Sequence, residues 1–226
     1  MFFKIGHRGA MGYAPENTLA SFQKALDLKV DMIEFDVHVC KSGELVVIHD
    51  DKVDRTTNGE GYVKNLTLKE LQSLDAGSWE IIPTLENALD LINRKVKINI
   101  ELIGEKIAEP VFKLIEEYVK NKNWQYDDFW ISSFNHYQLE EFSALNPQIK
   151  IGALIEAIPI GYAEFTEGMN ASSVNLSLAF IDQAFVDDAH RRGLKVFVWT
   201  VNELDDILRM KNLGVDGMFS NFPDRL

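Results

Sequence analysis

An α/β chain folded as a closed (β/α)8 barrel is the architecture this sequence predicts, on three observations. Short β-rich runs alternate with amphipathic helical stretches from one end of the chain to the other. Eight such runs can be counted. Neither a Gly/Ser/Pro linker nor a shift in composition divides the 226 residues, so a single domain over 1–226 is expected, a length that one barrel accommodates. Strand, helix and strand at this regularity mean parallel βα units, because a parallel neighbour is reached only through a crossover. An open doubly wound sheet has the same alternation and remains the alternative.

In chain order, strands are expected at Phe2–Gly6, Met32–Val37, Lys97–Leu102, Phe129–Ser133, Lys150–Ile155, Ser173–Leu176, Lys195–Thr200 and Gly217–Ser220. Apolar residues at helical spacing place helices at Thr18–Leu28, Thr84–Asn93, Glu105–Lys120, His136–Leu145, Asp182–Arg192 and Glu203–Leu213. The segment Ile160–Gly168 fits neither period, and no helical pattern follows the last strand. One stretch breaks the rhythm. After Val37 the chain passes Cys40-Lys41-Ser42-Gly43 and re-enters the apolar run Leu45–Ile48 before His49-Asp50. So short a connection cannot reach a parallel neighbour and must be a hairpin, which returns His49 to the end where Glu34 and Asp36 emerge. The next segment, about 51–82, is rich in Thr, Gly and Asn, with a helical pattern only around Leu68–Leu74, and is expected to be a small insertion.

Composition excludes several function classes. With 23 Lys+Arg against 35 Asp+Glu, a net charge of −12, non-specific nucleic-acid binding is not expected, since it needs clustered cations with few competing acids. The one cysteine, Cys40, cannot form an internal disulfide. No apolar run reaches membrane-spanning length and the N-terminus leads straight into a strand without a signal peptide, so stable membrane insertion is not expected and a cytoplasmic location is.

Chemistry concentrates at the strand ends. His7 and Arg8, between Gly6 and Gly9, pair a group that titrates near neutral pH with a rigid fork of donors suited to phosphate. Taken alone, the pair is equally a strand end with one satisfied histidine and one surface arginine. Glu34 and Asp36, two apart on a strand, share a face, and Glu101 ends the next barrel strand with Asn99 on its face. Three carboxylates converging at a barrel mouth repel unless a cation neutralises them, and all-oxygen ligation suits a hard ion, magnesium or calcium. Two acids near a strand end are otherwise commonly solvated. His7 and His49 can face the same mouth, where two imidazoles could act as general acid and base on a phosphate ester. Alternatively, His49-Asp50 is a turn that caps backbone. His38 is expected to point away from the Glu34/Asp36 face, and His136 and His190 sit on helices. Trp199 and Phe134 are core candidates by type, yet at the mouth they could wall an alcohol moiety.

The ordered set Gly6-His7-Arg8-Gly9-Ala10, Pro15-Glu16-Asn17-Thr18, Glu34-Phe35-Asp36, His49-Asp50, Asn99-Ile100-Glu101 and Val198-Trp199-Thr200-Val201-Asn202 closely resembles the glycerophosphodiester phosphodiesterase family. So do Arg55-Thr56-Thr57-Asn58-Gly59, Leu74–Trp79, Pro83–Glu86, Ser133-Phe134-Asn135 and Gly214–Gly217 with Pro223. The resemblance spans essentially the whole chain. It implies a metal-dependent TIM barrel with a small insertion after the second strand, hydrolysing glycerophosphodiesters to glycerol 3-phosphate and an alcohol. It also implies His7 and His49 as the acid/base pair, Glu34, Asp36 and Glu101 as ligands of one divalent cation, and Arg8 holding the phosphate. Trp199 and Phe134 would line the alcohol side, and Glu16 would be a metal-proximal acid or simply a helix N-terminal one. Attack by water directly, or first by a glycerol hydroxyl to give a cyclic phosphate, both fit.

Two departures stand out. Where the family usually has lysine two residues beyond the third ligating glutamate, this chain has Ile103, which by alternation should face the mouth; Lys106 is the nearest possible substitute. Arg8 would then be the only side-chain cation in the pocket. The segment between Trp79 and Pro83 is also short, which would widen the site. These departures leave two further readings: a lysophospholipase D-like enzyme on single-chain lipids, or a barrel that binds phosphate without chemistry.

Overall fold

Alternation along the strands divides the side chains between two environments, and that division builds the site. The computed structural model describes residues 2–226. Its strands are β1 (Phe3–Gly6), β2 (Met32–Val39), β3 (Leu45–Val47), β4 (Lys97–Leu102), β5 (Phe129–Ser133), β6 (Lys150–Ile155), β7 (Ser173–Ser177), β8 (Lys195–Trp199) and β9 (Gly217–Ser220). Every one except β3 is parallel to its neighbours, and β1 pairs with both β2 and β9. The ring is therefore closed, a (β/α)8 barrel, and the open-sheet alternative is excluded. β3 is antiparallel to the end of β2, with Val37 opposite Val47 and Val39 opposite Leu45, the expected hairpin. β2 runs two residues beyond Val37 because the hairpin carries it above the ring.

Outward-facing Ile33, Phe35 and Val37 of β2 and Ile98, Ile100 and Leu102 of β4 are buried in the large core under the helices. The helices are α1 (Leu19–Asp27), α2 (Leu68–Leu71), α3 (Leu85–Ile92), α4 (Ala108–Asn121), α5 (His136–Leu145), α6 (Gln183–Arg191) and α7 (Leu204–Leu213); α1, α3, α4 and α5 cover that core, and α6 and α7 a second one. Side-chain caps set several starts: Thr18 accepts from the Ser21 amide, Thr84 forms a capping box with Asn87, and Asp182 accepts from the Phe185 amide. The expected helix from Glu105 begins only at Ala108, because Lys106 adopts φ 54° and Ile107 offers no capping side chain. Ile160–Gly168 resolves into a 3-10 turn at Tyr162–Thr166, and a 3-10 turn at Pro223–Arg225 follows β9 in place of a last helix.

Inside the ring, Phe3, Ile5, Met32, Trp130, Phe197 and Phe219 form a separate cluster. The Phe3, Trp130 and Phe197 rings lie 5.3 to 6.3 Å apart in edge-on or tilted contacts. This aromatic plug fills the lower barrel, so only the C-terminal end is open for a ligand. Residues 51–82 hold a 3-10 turn at Val63–Asn65 and the single-turn α2, shorter than the Leu68–Leu74 pattern. They pack over β3 through Val53, Val63, Leu71, Ala76 and Ile82, together with Cys40, Val46 and Ile48. Cys40 is buried and unpaired. Among the described residues no helix is long and apolar enough to cross a membrane.

Candidate active site

Beyond β1 the chain turns sharply across the mouth. A Cβ on Gly9, which has φ +81°, would lie 2.3 Å from the Ser21 hydroxyl, and one on Gly6 would lie 2.6 Å from the Gly9 carbonyl oxygen. Both positions therefore require glycine. Arg8 between them takes φ 50°, a conformation held because its amide donates to Glu34 Oε2 at 2.7 Å and its carbonyl accepts from Ser21 Oγ at 2.7 Å.

Strand register assembles the acids. Asp36 of β2 stands opposite Glu101 of β4, and Glu34 opposite Asn99. Oxygens of Glu34, Asp36 and Glu101 all lie within 4.8 Å of one another. Burial first, then Asp36 and Glu101, push the Glu34 carboxyl well above the usual carboxylate range. Burial and Asp36 push Glu101 up to about 8. Glu34 Oε1 is buried without a hydrogen-bond partner. Asp36 accepts from Asn17 Nδ2 at 2.8 Å and faces Arg8 Nε at 3.4 Å. A buried, mutually repelling oxygen set with an unspent oxygen fits a hard divalent cation.

The two imidazoles flank the same cavity, lined by His7, Arg8, Glu34, His49, Asn99 and Glu101 on its polar side and by Phe134, Trp199, Leu154 and Phe219 on the other. His7 Nδ1 donates to Asn221 Oδ1 at 2.7 Å, leaving Nε2 as the free acceptor. Burial, then Arg8, pulls the His7 imidazole down to about 4, so it is neutral at physiological pH. His49 Nδ1 donates to Asp50 Oδ1 at 2.6 Å, which likewise leaves its Nε2 free. Phe134 and Trp199 meet edge to face at 5.5 Å. Arg8 Nη1 is spent on Glu16 Oε1 at 2.7 Å, while no hydrogen bond engages its Nη2 among the described residues.

Some expectations change. His38 shares the parity of Glu34 and Asp36 and does not alternate away from them; it is absent from the cavity because β2 has by then risen into the hairpin, where its Nε2 meets the His49 carbonyl at 3.0 Å. Ile103 lies past the end of β4, where alternation has stopped, and is half-buried outside the cavity wall; Lys106 is exposed and also outside it. Among the described residues Arg8 is the only Lys or Arg on that wall. His136 bonds the Leu154 carbonyl and His190 bonds Asp216, each outside the cavity. Asn221 and Asn17, which hold His7 and Asp36, carry no spacing that marks them as site residues, although Asn221 directly follows a strand at the mouth.

The sequence profile of the Glycerophosphoryl diester phosphodiesterase family matches residues 7–225. The chain is 40% identical over 235 residues to the glycerophosphodiester phosphodiesterase of Caldanaerobacter subterraneus subsp. tengcongensis, covering 98% of this chain and 95% of that one. It is 38% identical over 236 residues to the glycerophosphodiester phosphodiesterase of Bacillus altitudinis, with the same coverage of 98% and 95%. Its fold is similar to that of an Oleispira antarctica phosphodiesterase in complex with the product sn-glycerol-3-phosphate, at a TM-score of 0.90 and 36% identity over 98% of this chain and 93% of that one. The chain belongs to the glycerophosphoryl diester phosphodiesterase family and is a phosphoric diester hydrolase.

Proposed function

We propose that the chain, acting as one domain, hydrolyses small glycerophosphodiesters to glycerol 3-phosphate and an alcohol, with His7 and His49 as the acid/base pair. One divalent cation, magnesium or calcium, is held by Glu34, Asp36 and Glu101. The observation that carries this reading is the meeting, around one cavity, of two imidazoles, each tied down at Nδ1 and free at Nε2, with Glu34 and Glu101, and Asp36 within 4.8 Å of both. The glycerol 3-phosphate seen in the Oleispira antarctica relative supports the product.

When bound, the cation neutralises the carboxylates and polarises the phosphoryl oxygens. The chain's own groups do the rest. Arg8 offers its unspent Nη2 to the phosphate. His7, neutral and fixed by Asn221, takes the proton of the attacking hydroxyl at Nε2. His49 gives a proton to the departing alkoxide from Nε2, while the Asp50 carboxylate on its other nitrogen holds the ring in place. Phe134 and Trp199 keep water from one side of the cavity and give the alcohol an apolar wall. The single unpaired cysteine accords with a cytoplasmic setting.

The deciding experiment is a coupled assay of glycerol 3-phosphate release over a panel of diesters, with magnesium, with calcium and with chelator. Release that survives chelation, or that survives intact in His7→Ala, would overturn the reading.

A further inference from the structure

Arg55 belongs to the segment after β3, yet its guanidinium reaches two loops that carry opposite halves of the site. Its Nε and Nη2 donate to the two oxygens of Asp50 at 2.7 and 2.9 Å. Its Nη1 and Nη2 donate to the two oxygens of Glu16 at 2.8 and 2.7 Å. Both carboxylates are thus gripped by two bonds from one planar fork, a geometry lysine cannot reproduce. The next link in each direction is a residue of the cavity: Asp50 holds His49 Nδ1 at 2.6 Å, and Glu16 holds Arg8 Nη1 at 2.7 Å.

An exposed ion pair ordinarily contributes little, and the Arg55 side chain is 49% exposed. Its surroundings differ from that case. Two residues before it, Val53 is fully buried in the insertion's own core and its amide donates to the Gly61 carbonyl at 3.0 Å. Two residues after it, Thr57 Oγ1 donates to the Val53 carbonyl at 2.8 Å. The backbone is anchored before the side chain reaches out. Glu16 Oε1 and Asp50 Oδ1 also share one nitrogen, Nη2, so without Arg55 two carboxylates would face each other and repel, driving the His49 and Arg8 loops apart.

We propose that Arg55 is a positioning residue that joins the Asp50 and Glu16 carboxylates and thereby sets His49 and Arg8 at their working separation across the cavity. This rests on the reading of His49 as an acid/base group. The insertion would then belong to the catalytic apparatus without touching substrate.

The test compares wild type, Arg55→Ala, Arg55→Lys and His49→Ala, each with metal, on glycerophosphocholine. Arg55→Ala is expected to lose about 10–100-fold in kcat, the usual cost of removing a group that orients a site ligand. Its melting temperature should stay near wild type, Arg55→Lys should restore only part of the rate, and millimolar guanidinium should raise the rate of Arg55→Ala but not of wild type. Nitrogen NMR of the His49 ring supplies a readout independent of turnover: an Nδ1 proton held in its bond to Asp50 in wild type, that bond weakened in Arg55→Ala. Full activity in His49→Ala would sink the acid/base reading itself. An inactive His49→Ala beside an Arg55→Ala with wild-type kcat and an unchanged His49 spectrum would overturn the role of Arg55. So would a rate loss matched by lost thermal stability and insensitive to guanidinium.

Discussion

Replacing Glu101 by glutamine should separate the proton's part in the acidic trio from the cation's. With all three acids ionised, Glu34, Asp36 and Glu101 beside Arg8 leave two uncompensated negative charges, the charge of one divalent cation. Without metal, the Glu101 carboxyl sits at about 8, well above its value in an unfolded chain near 4.3. The folded state therefore keeps a proton that the unfolded state has released between those limits, and stability falls as pH rises through that window. His7 acts with the opposite sign: a folded value of about 4 against about 6.5 unfolded makes stability rise with pH, but only below about 6.5. The interval from about pH 6.5 to about pH 8 is thus free of the His7 contribution and belongs to the mutually repelling carboxyls of Glu101 and Glu34. At one hundred times its dissociation constant a cation adds about 2.7 kcal/mol. At about 2–4 °C per kcal/mol for a domain of this size, that is a rise of about 5–10 °C in Tm. Thermal melts with chelator and with magnesium or calcium should show the metal-induced rise growing from about pH 6.5 to about pH 8 in wild type. In Glu101→Gln the rise should be largely lost, and the metal-free variant should be the more stable of the two proteins at the higher pH. An undiminished metal-induced rise in Glu101→Gln, or one independent of pH in wild type, would refute the assignment.

Four other outcomes are expected. His7→Ala and His49→Ala should each lower kcat by about 10²–10⁴-fold while the melting temperature and the metal-induced rise stay near wild type; steady-state kinetics beside thermal melts decide it. Asn221→Ala frees His7 Nδ1 and should lower kcat with KM unchanged, a split that progress curves over a substrate series would show. Gly9→Ala places a Cβ 2.3 Å from Ser21 Oγ at φ +81° and should destabilise by about 1–3 kcal/mol in urea melts, with activity lost in proportion to loop displacement. Ile103→Lys returns a cation just past the end of β4 and should lower KM for small diesters several-fold without moving Tm; an unchanged KM would mean that Arg8 already saturates the phosphate.

The parts of this site that were legible in the sequence are those carried on strands, and the reason is geometric. A period of two fixes which face a strand residue occupies, so Glu34 and Asp36 could be paired from spacing alone, and Glu101 follows once two parallel strands are neighbours. The same rule breaks where a strand stops or leaves the ring. Ile103 lies beyond β4, and His38, on the parity of the acids, has been lifted clear of the cavity by the hairpin. Ring closure rested on the count of eight units and on the family resemblance, since the β1–β9 pairing joins the two ends of the chain and alternation alone is identical in an open sheet. The loop-borne groups were least visible. Asn221 meets His7 across 214 residues, Asn17 meets Asp36 across 19, and Arg55 meets Glu16 across 39. Such residues look like ordinary turn formers or surface charge, because loops have no period to show where a side chain points. What distinguishes them is the partner they satisfy. Asn17 holds a strand acid, Asn221 a histidine, and Arg55 the two loop carboxylates that bond His49 and Arg8, so the groups that could be read from spacing lean for their geometry on groups that could not.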